Sequence, residues 1–121
     1  MEREKFVKVV YESIAKKAVE EVLQNLKSPP GRNPNNETIR RSEGFKNLTV
    51  EEKELCMDIA QDAVDAAFFG LFCVLDGVRN IDNTINSSRL RLTLEKEKEK
   101  LLLSDNTEYL GLHDIYNTLS K

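Results

Sequence analysis

Residues 49–79 read TVEEKELCMDIAQDAVDAAFFGLFCVLDGVR, and this stretch decides the fold because it specifies one long helix. Thr49 and Glu52 form a capping box at its start, in which the Thr hydroxyl accepts from the amide of the third helical residue and the Glu carboxylate accepts from the Thr amide. Asp76-Gly77 provides a stop, because glycine adopts the left-handed conformation that commonly ends a helix. The stretch therefore predicts a helix over about residues 50–76.

The two sides of this helix differ in chemistry. At about 100° per residue, five carboxylates fall within an arc of about 80°. We call them the acidic face, which consists of Glu51, Glu54, Asp58, Asp62 and Asp65. The opposite side is predicted to face the core, and its members are Cys56, Ile59, Ala60, Ala63, Val64, Ala66 and Ala67. Residues 66–75 are apolar all round, with Phe69 and Phe72 on the line of the acidic face, and this is typical of a helix buried on every side.

Two more helices are predicted before residue 49. Residues 3–27 carry apolar side chains four apart, as an amphipathic helix does; the row is Phe6, Val10, Ile14, Ala18, Val22 and Leu26. Two prolines and a glycine at residues 29–31 end this helix, because proline cannot continue the backbone hydrogen bonding. A short helix is predicted over about residues 37–48 with Asn36 as its cap. Its expected buried anchors are Ile39, Phe45 and Leu48.

The C-terminal third carries a different pattern. After a turn-rich segment over residues 80–88, leucines at positions 90, 92 and 94 alternate with polar residues, which indicates a strand. A charged run follows at residues 95–100. As a helix, this run would place like charges four apart but opposite charges three apart, so a helix over 88–104 remains an alternative. The alternation favours a β-hairpin with the charged run around its turn, and residues 112–119 predict a short terminal helix.

Together these elements predict one mainly α domain over residues 1–121. The chain length is typical of a single domain. We expect a small helical bundle around the buried half of the long helix, with the hairpin as a covering element.

The charge distribution narrows the class of partner. The net charge is only −3, but residues 49–76 hold seven acidic residues against one basic residue. Such a segment repels phosphate, and no Lys/Arg stripe occurs elsewhere, so we expect no nucleic-acid ligand. A basic protein partner fits better. No signal peptide is visible, and the apolar residues 66–75 are about half the length that spans a bilayer, so we expect a cytoplasmic protein without a membrane partner.

The reactive side chains are few. Cys56 and Cys73 would lie about 25 Å apart along one helix, whereas a disulfide needs Cα atoms within about 7 Å. Both are therefore predicted to be free thiols in the core. His113 is the only histidine, and alone it makes neither a His-rich metal site nor a catalytic triad; we expect it to form a surface pair with Asp114 or a cap. No catalytic residue, cofactor-binding residue, cofactor or bound metal is predicted.

Three pieces of the chain carry a resemblance to other proteins. They are Pro29-Pro30-Gly31-Arg32, Phe45 before a polar helix start, and residues 68–79, of which Leu75-Asp76-Gly77-Val78-Arg79 is the most specific. Over residues 29–116 the chain resembles a group of small uncharacterised bacterial cytosolic proteins. The resemblance implies a bacterial cytosolic protein and transfers no activity.

The acidic face supports a binding hypothesis. Toxic nucleases present basic clefts because they hold phosphate, and a small protein with an acidic helix face is suited to block one. We therefore expect an immunity or antitoxin-type inhibitor that neutralises a basic toxin. The ordinary alternative is that these carboxylates are only the solvated side of an amphipathic helix.

Two other hypotheses stay open. Asp58, Asp62 and Asp65 resemble part of the paired acidic motifs of the MazG-like all-α nucleotide pyrophosphatases, which implies a magnesium-dependent nucleotide phosphohydrolase. That family holds its metal between clusters on two helices, the first reading Glu-Glu-x-x-Glu. Residues 51–54 depart from that spacing, and carboxylates on one helix cannot surround an ion. The remaining alternative is a homo-oligomeric structural protein.

Overall fold

A computed structural model describes residues 3–79, 90–104 and 110–121 of the chain. The elements in chain order are α1 (Arg3–Val10), a π-helical turn (Tyr11–Ala15), α2 (Lys16–Lys27), α3 (Asn36–Lys46), α4 (Val50–Leu75), β1 (Thr93–Lys96), β2 (Glu99–Leu102) and α5 (Leu112–Ser120). This confirms a mainly α fold with a C-terminal hairpin and a terminal helix. The turn-rich segment predicted over residues 80–88 lies outside the described residues.

The π-helical turn changes the buried side of the first helix. Helical dihedral angles continue through Val10, Ala15 and the next residue, so α1, the turn and α2 form one continuous helix. A π turn contains one residue more than an α turn, and Ala15, five residues after Val10, is therefore the next residue in the core. The predicted four-residue row is wrong at this point, because Ile14 and Val22 are about half exposed.

Helix α3 is held by its cap and by α2. Asn35 is the cap, one residue earlier than predicted, and its side chain accepts from the Thr38 amide at 2.8 Å. Ser42 donates its hydroxyl to the Leu26 carbonyl at 2.6 Å, which joins α3 to the last turn of α2. Of the expected anchors, Phe45 is buried and Leu48 is half-buried, whereas Ile39 lies at the surface.

Both ends of α4 follow the predicted chemistry. The capping box is complete, since Thr49 accepts from the Glu52 amide at 3.1 Å and donates its own amide to the Glu52 carboxylate at 2.9 Å. At the other end Gly77 has a φ of 78°. The amide of Val78 donates to the Cys73 carbonyl at 2.9 Å, which is the long hydrogen bond of a Schellman motif.

The core is centred on α5 rather than on α4 alone. Leu112 and Tyr116 of this short helix are completely buried. Edge-to-face or tilted contacts join the Tyr116 ring to three other rings at centroid distances of 5.7–5.8 Å, those of Tyr11, Phe68 and Phe72. The remaining buried members of this cluster are Val7, Val10, Ala15 and Ile115. The terminal helix therefore supplies the residues on which the π turn and the C-terminal half of α4 pack.

The orientation of α4 differs from the prediction. The side opposite the acidic face was expected to be buried, but most of it is exposed, namely Cys56, Ile59, Ala63, Ala66 and Ala67. The core instead receives the side that carries Phe68 and Phe72, because aromatic side chains bury more apolar area than alanines do. Residues 66–75 are accordingly not buried on every side, and Leu71 is 50% exposed.

The two cysteines were both predicted to lie in the core, and only one of them does. Both are free, as predicted. Cys73 lies in the core, whereas Cys56 is exposed on the uncovered side of α4.

The hairpin is present but covers little of the core. Its register pairs Leu94 with Leu101, and the other strand residues are exposed except for the half-buried Leu102. The base of the hairpin is attached to the bundle, since Leu103 is buried and Arg3 donates from Nε to its carbonyl at 2.8 Å. The hairpin is thus an appendage held at its base, not the covering element that was expected.

We predict that Phe72→Ala lowers the free energy of unfolding by about 3–5 kcal/mol, the usual cost of a phenylalanine-sized cavity. Phe72 is 2% exposed and contacts the rings of Phe6 and Tyr116. Urea denaturation measures the loss. Phe69→Ala is the matched control, because Phe69 is only half-buried and its loss is expected to be smaller. Equal losses in the two variants would contradict this description of the core.

Candidate acidic binding face

Four of the five carboxylates of the acidic face lie in solvent. Glu51, Glu54, Asp58 and Asp62 are exposed, and within the part of the chain that the structure describes none of them forms an ion pair. At a rise of about 1.5 Å per residue, the row from Glu51 to Asp62 is about 17 Å long. A row of unpaired like charges raises the local negative potential and attracts cations.

Asp65 has a different role from the other four. It is half-buried, and its carboxylate accepts from the Tyr116 hydroxyl at 2.8 Å and from the Gln61 amide at 3.0 Å. These bonds tie the acidic face to the centre of the core. Asp65 therefore holds α4 against α5, and the prediction that it faces solvent beside its neighbours is wrong.

A groove adjoins the C-terminal end of the acidic face. It has a volume of about 510 Å³ and runs between α4 and α5. Its lining combines carboxylates, amide and hydroxyl groups, one ring and one ammonium group, namely Asp62, Asp65, Ala66, Phe69, Asn117, Ser120 and Lys121. Asp65 is hydrogen-bonded to Tyr116 and Gln61, so the exposed Asp62 is the carboxylate of this groove that is open to a cationic side chain.

The same carboxylates do not converge on a metal position. Over residues 3–79, 90–104 and 110–121, no group of three or more His, Cys, Asp or Glu side chains is placed to hold an ion. The reason is that Asp58, Asp62 and Asp65 follow one another along one helix. In the same ranges no helix is both long enough and apolar enough to cross a membrane.

A second polar cluster joins α4 to α5. Asp76 is 1% exposed, and its Oδ2 accepts from the backbone amide of His113 at 2.9 Å and lies 2.5 Å from His113 Nδ1. The other ring nitrogen lies 3.4 Å from Asp114, whose carboxylate also accepts from the Gly111 amide at 3.1 Å. A carboxylate at a helix N-terminus is stabilised by the free amides there. Asp76 thus caps α5 from another helix.

Gly111 makes room for that carboxylate. It occupies the cap position of α5, where a Cβ would lie 2.6 Å from Asp76 Oδ2 and 2.9 Å from the His113 ring. His113 does contact Asp114, as predicted, but its closer partner is the buried Asp76. Asp114 caps α5, because its carboxylate accepts from the Gly111 amide.

Cys73 lies near this cluster without the features of a nucleophile. Burial raises the pKa of its thiol, and this effect exceeds the opposing effect of the Arg79 guanidinium. A thiol in such surroundings stays protonated at neutral pH.

Comparisons with known proteins identify no family for this chain. No protein-family model, no curated protein and no solved structure matches it.

Two functional residues could not be recognised in the sequence. Tyr116 falls within the terminal helix predicted over residues 112–119, where it has no role of its own, and Asp76 was predicted only as part of a helix stop. Tyr116 binds Asp65, 51 residues earlier, and Asp76 binds His113, 37 residues later. No local sequence pattern predicts contacts over such separations. The glycine at position 111 was a usable signal, since a helix start without a capping side chain needs an acceptor from elsewhere.

We predict that the stability of the protein falls above pH 10 through Tyr116. Burial, and after it the hydrogen bond to Asp65, raises the pKa of the Tyr116 phenol. In the unfolded chain a tyrosine has a pKa of about 10. Above that pH the unfolded state loses a proton that the folded state retains, so stability declines as pH rises. Tyr116→Phe should decline less steeply over this range.

Urea denaturation of both proteins at pH 7 and above pH 10 measures this difference. At pH 7 the variant should be less stable by about 1.5 kcal/mol, the value of a hydrogen bond to a charged acceptor. Equal slopes with pH for the two proteins would show that Tyr116 retains no proton on folding.

We predict that changes at Asp76 and Gly111 compensate each other. Asp76→Ala leaves the start of α5 without its acceptor and should cost about 2 kcal/mol. Gly111→Ser alone should also destabilise the fold, because its Cβ meets the Asp76 carboxylate. In the double variant the space is vacated and the serine hydroxyl can cap α5. In a double-mutant cycle, the double variant should lose about 1 kcal/mol less unfolding free energy than the two single variants lose together. Strictly additive losses would contradict the capping role of Asp76.

Proposed function

We propose that this protein is a protein-binding module of the immunity or antitoxin type, which neutralises a basic, nuclease-like toxin through the acidic face of α4. The observation that carries this proposal is the row of four exposed carboxylates at Glu51, Glu54, Asp58 and Asp62, none of them ion-paired within the described residues. Unpaired charges on a fold of this size are available to a partner and steer its association. The bacterial and cytoplasmic setting of the proposal rests on the resemblance over residues 29–116.

The dimensions of the acidic face fit a basic protein partner. A row about 17 Å long matches several turns of a helix or a loop of a partner. Because the carboxylates stand on a helix joined to the core through Asp65, they form a rigid surface, and rigid surfaces lose little entropy on binding. The groove between α4 and α5 supplies a place for one long basic side chain at the end of the row.

The magnesium-dependent phosphohydrolase is less well supported. Its carboxylates would need to surround an ion, whereas those of the acidic face lie in a line and one of them, Asp65, is engaged by Tyr116. No observation in the described residues favours it over the binding module.

The test compares two variants with the same change of charge. In the first, Glu54, Asp58 and Asp62 are replaced by Lys; in the matched control, Glu12, Glu20 and Glu21 are replaced by Lys. Each set exchanges three exposed acids for bases and takes the net charge from −3 to +3. Exposed substitutions usually change stability by about 0.5 kcal/mol or less each, so both variants should fold, as a thermal melt will check.

Wild type and control are expected to capture the same basic protein from the lysate of the native host, and to protect cells that express that protein. The face variant should do neither, because like charges now meet. Salt should weaken the wild-type complex, since exposed charges are screened over about 8–10 Å. Capture that survives in the face variant would assign the partner to another surface, and a captured protein that is not toxic would overturn the immunity proposal.

A further inference from the structure

The uncovered side of α4 carries a continuous apolar row. We define the α4 row as Leu55, Ile59, Ala63, Ala67 and Leu71, which follow one another at a spacing of four. Leu55 and Ile59 are each 59% exposed, Leu71 is 50% exposed, and both alanines are exposed. An isolated exposed leucine is ordinary, but five apolar residues along one helix leave a contiguous patch that marks an interaction surface.

From this row we infer that the protein forms a homodimer in which α4 packs against α4 of a second copy in antiparallel orientation. The inference goes beyond the proposed function and does not depend on it. The acidic face borders the row, but none of its carboxylates belongs to the row.

The area of the row is that of a stable dimer interface. With the exposed Cys56 and Ala66 beside it, the row leaves on the order of 500 Å² of apolar surface uncovered, toward the upper end of the about 300–600 Å² of the largest patch on a typical monomer, which is often functional. An interface of standard size buries about 800 Å² per partner, of which about 60%, or about 480 Å², is apolar. The same face of a second copy would therefore provide an apolar surface of matching area.

The order of side-chain sizes makes the row self-complementary. Residues four apart form a ridge on a helix, and two such ridges pack into each other's grooves. Ala63 is the midpoint of the row, so a two-fold axis there brings Ile59 of one copy onto Ala67 of the second copy. The bulky side chain then meets a small one, and the small residue at the crossing lets the two helices approach closely.

Charge decides between the two orientations. A parallel pair would place the acidic N-terminal halves of both helices side by side, which is repulsive. In the antiparallel pair each acidic half lies beside the C-terminal half of the second copy, in which the one acid is Asp65, hydrogen-bonded to Tyr116. That half ends near the exposed Arg79, whose Nη1 would lie 2.8 Å from a Cβ at Gly70.

The first test measures the mass of the full chain in solution by sedimentation over micromolar concentrations. Wild type should have twice the mass of one chain. Ile59→Glu should be a monomer with an unchanged helical signal, because it places a charge on the row. Ile14→Glu is the matched control, since Ile14 is 51% exposed and lies off the row, and this variant should remain a dimer. A monomeric wild type, or two variants with the same mass, would overturn the inference.

The second test fixes the orientation and does not rely on a disruptive variant. In a Cys56→Ser background, which keeps the buried Cys73, Ile59→Cys and Ala67→Cys are introduced together and the protein is mildly oxidised. Peptide mapping should find a disulfide between position 59 of one chain and position 67 of the other. Bridges that join only 59 to 59 or 67 to 67 would show a parallel pair, and the absence of any bridge between chains would contradict the dimer.

Discussion

The fold depends on a buried carboxylate shared by two helices. Asp76 follows the last residue of α4, and its side chain accepts from the backbone amide and lies against the ring of His113 at the start of α5. A buried polar group is costly unless it is hydrogen-bonded, so the N-terminus of α5 cannot move away from the C-terminus of α4 without breaking the contacts between Asp76 and His113. This one contact places Leu112 and Tyr116 against the aromatic side of α4.

This α4–α5 contact also determines which side of α4 is buried. Once α5 lies against the C-terminal half of α4, Tyr116 meets Phe68 and Phe72 and its hydroxyl reaches Asp65. The ring cluster excludes water, while the hydroxyl satisfies the carboxylate at its edge. The side that carries Leu55, Ile59, Ala63, Ala67 and Leu71 is left uncovered. The exposed acidic face and the exposed apolar row are thus two consequences of the same packing.

The sequence was sufficient for features that depend on neighbours in the chain. The capping box at Thr49, the stop at Gly77 and the alternation of leucines before the hairpin are local signals, and each predicted its element. The inward side of α4 was not predictable in this way, because both sides are apolar and the choice depends on an aromatic cluster assembled from distant elements. The π-helical turn also escaped, since nothing in residues 11–15 departs from an ordinary helical pattern.

In the candidate site too, helical spacing predicted some positions correctly, whereas contacts between distant elements decided another. Spacing alone placed Glu54, Asp58 and Asp62 on one face, and they share it in the structure. Spacing also placed Asp65 on this face. At the edge of the core, however, the exposure of a side chain depends on the elements that pack there, and Asp65 accepts a hydrogen bond from Tyr116 of α5. Helix α4 consequently carries three chemistries: on one line, acids in its N-terminal half and core aromatics in its C-terminal half, and on another side the apolar row. The exposed acids and the row lie outside the core, and they are the two surfaces at which we propose a basic protein partner and a second copy of the chain.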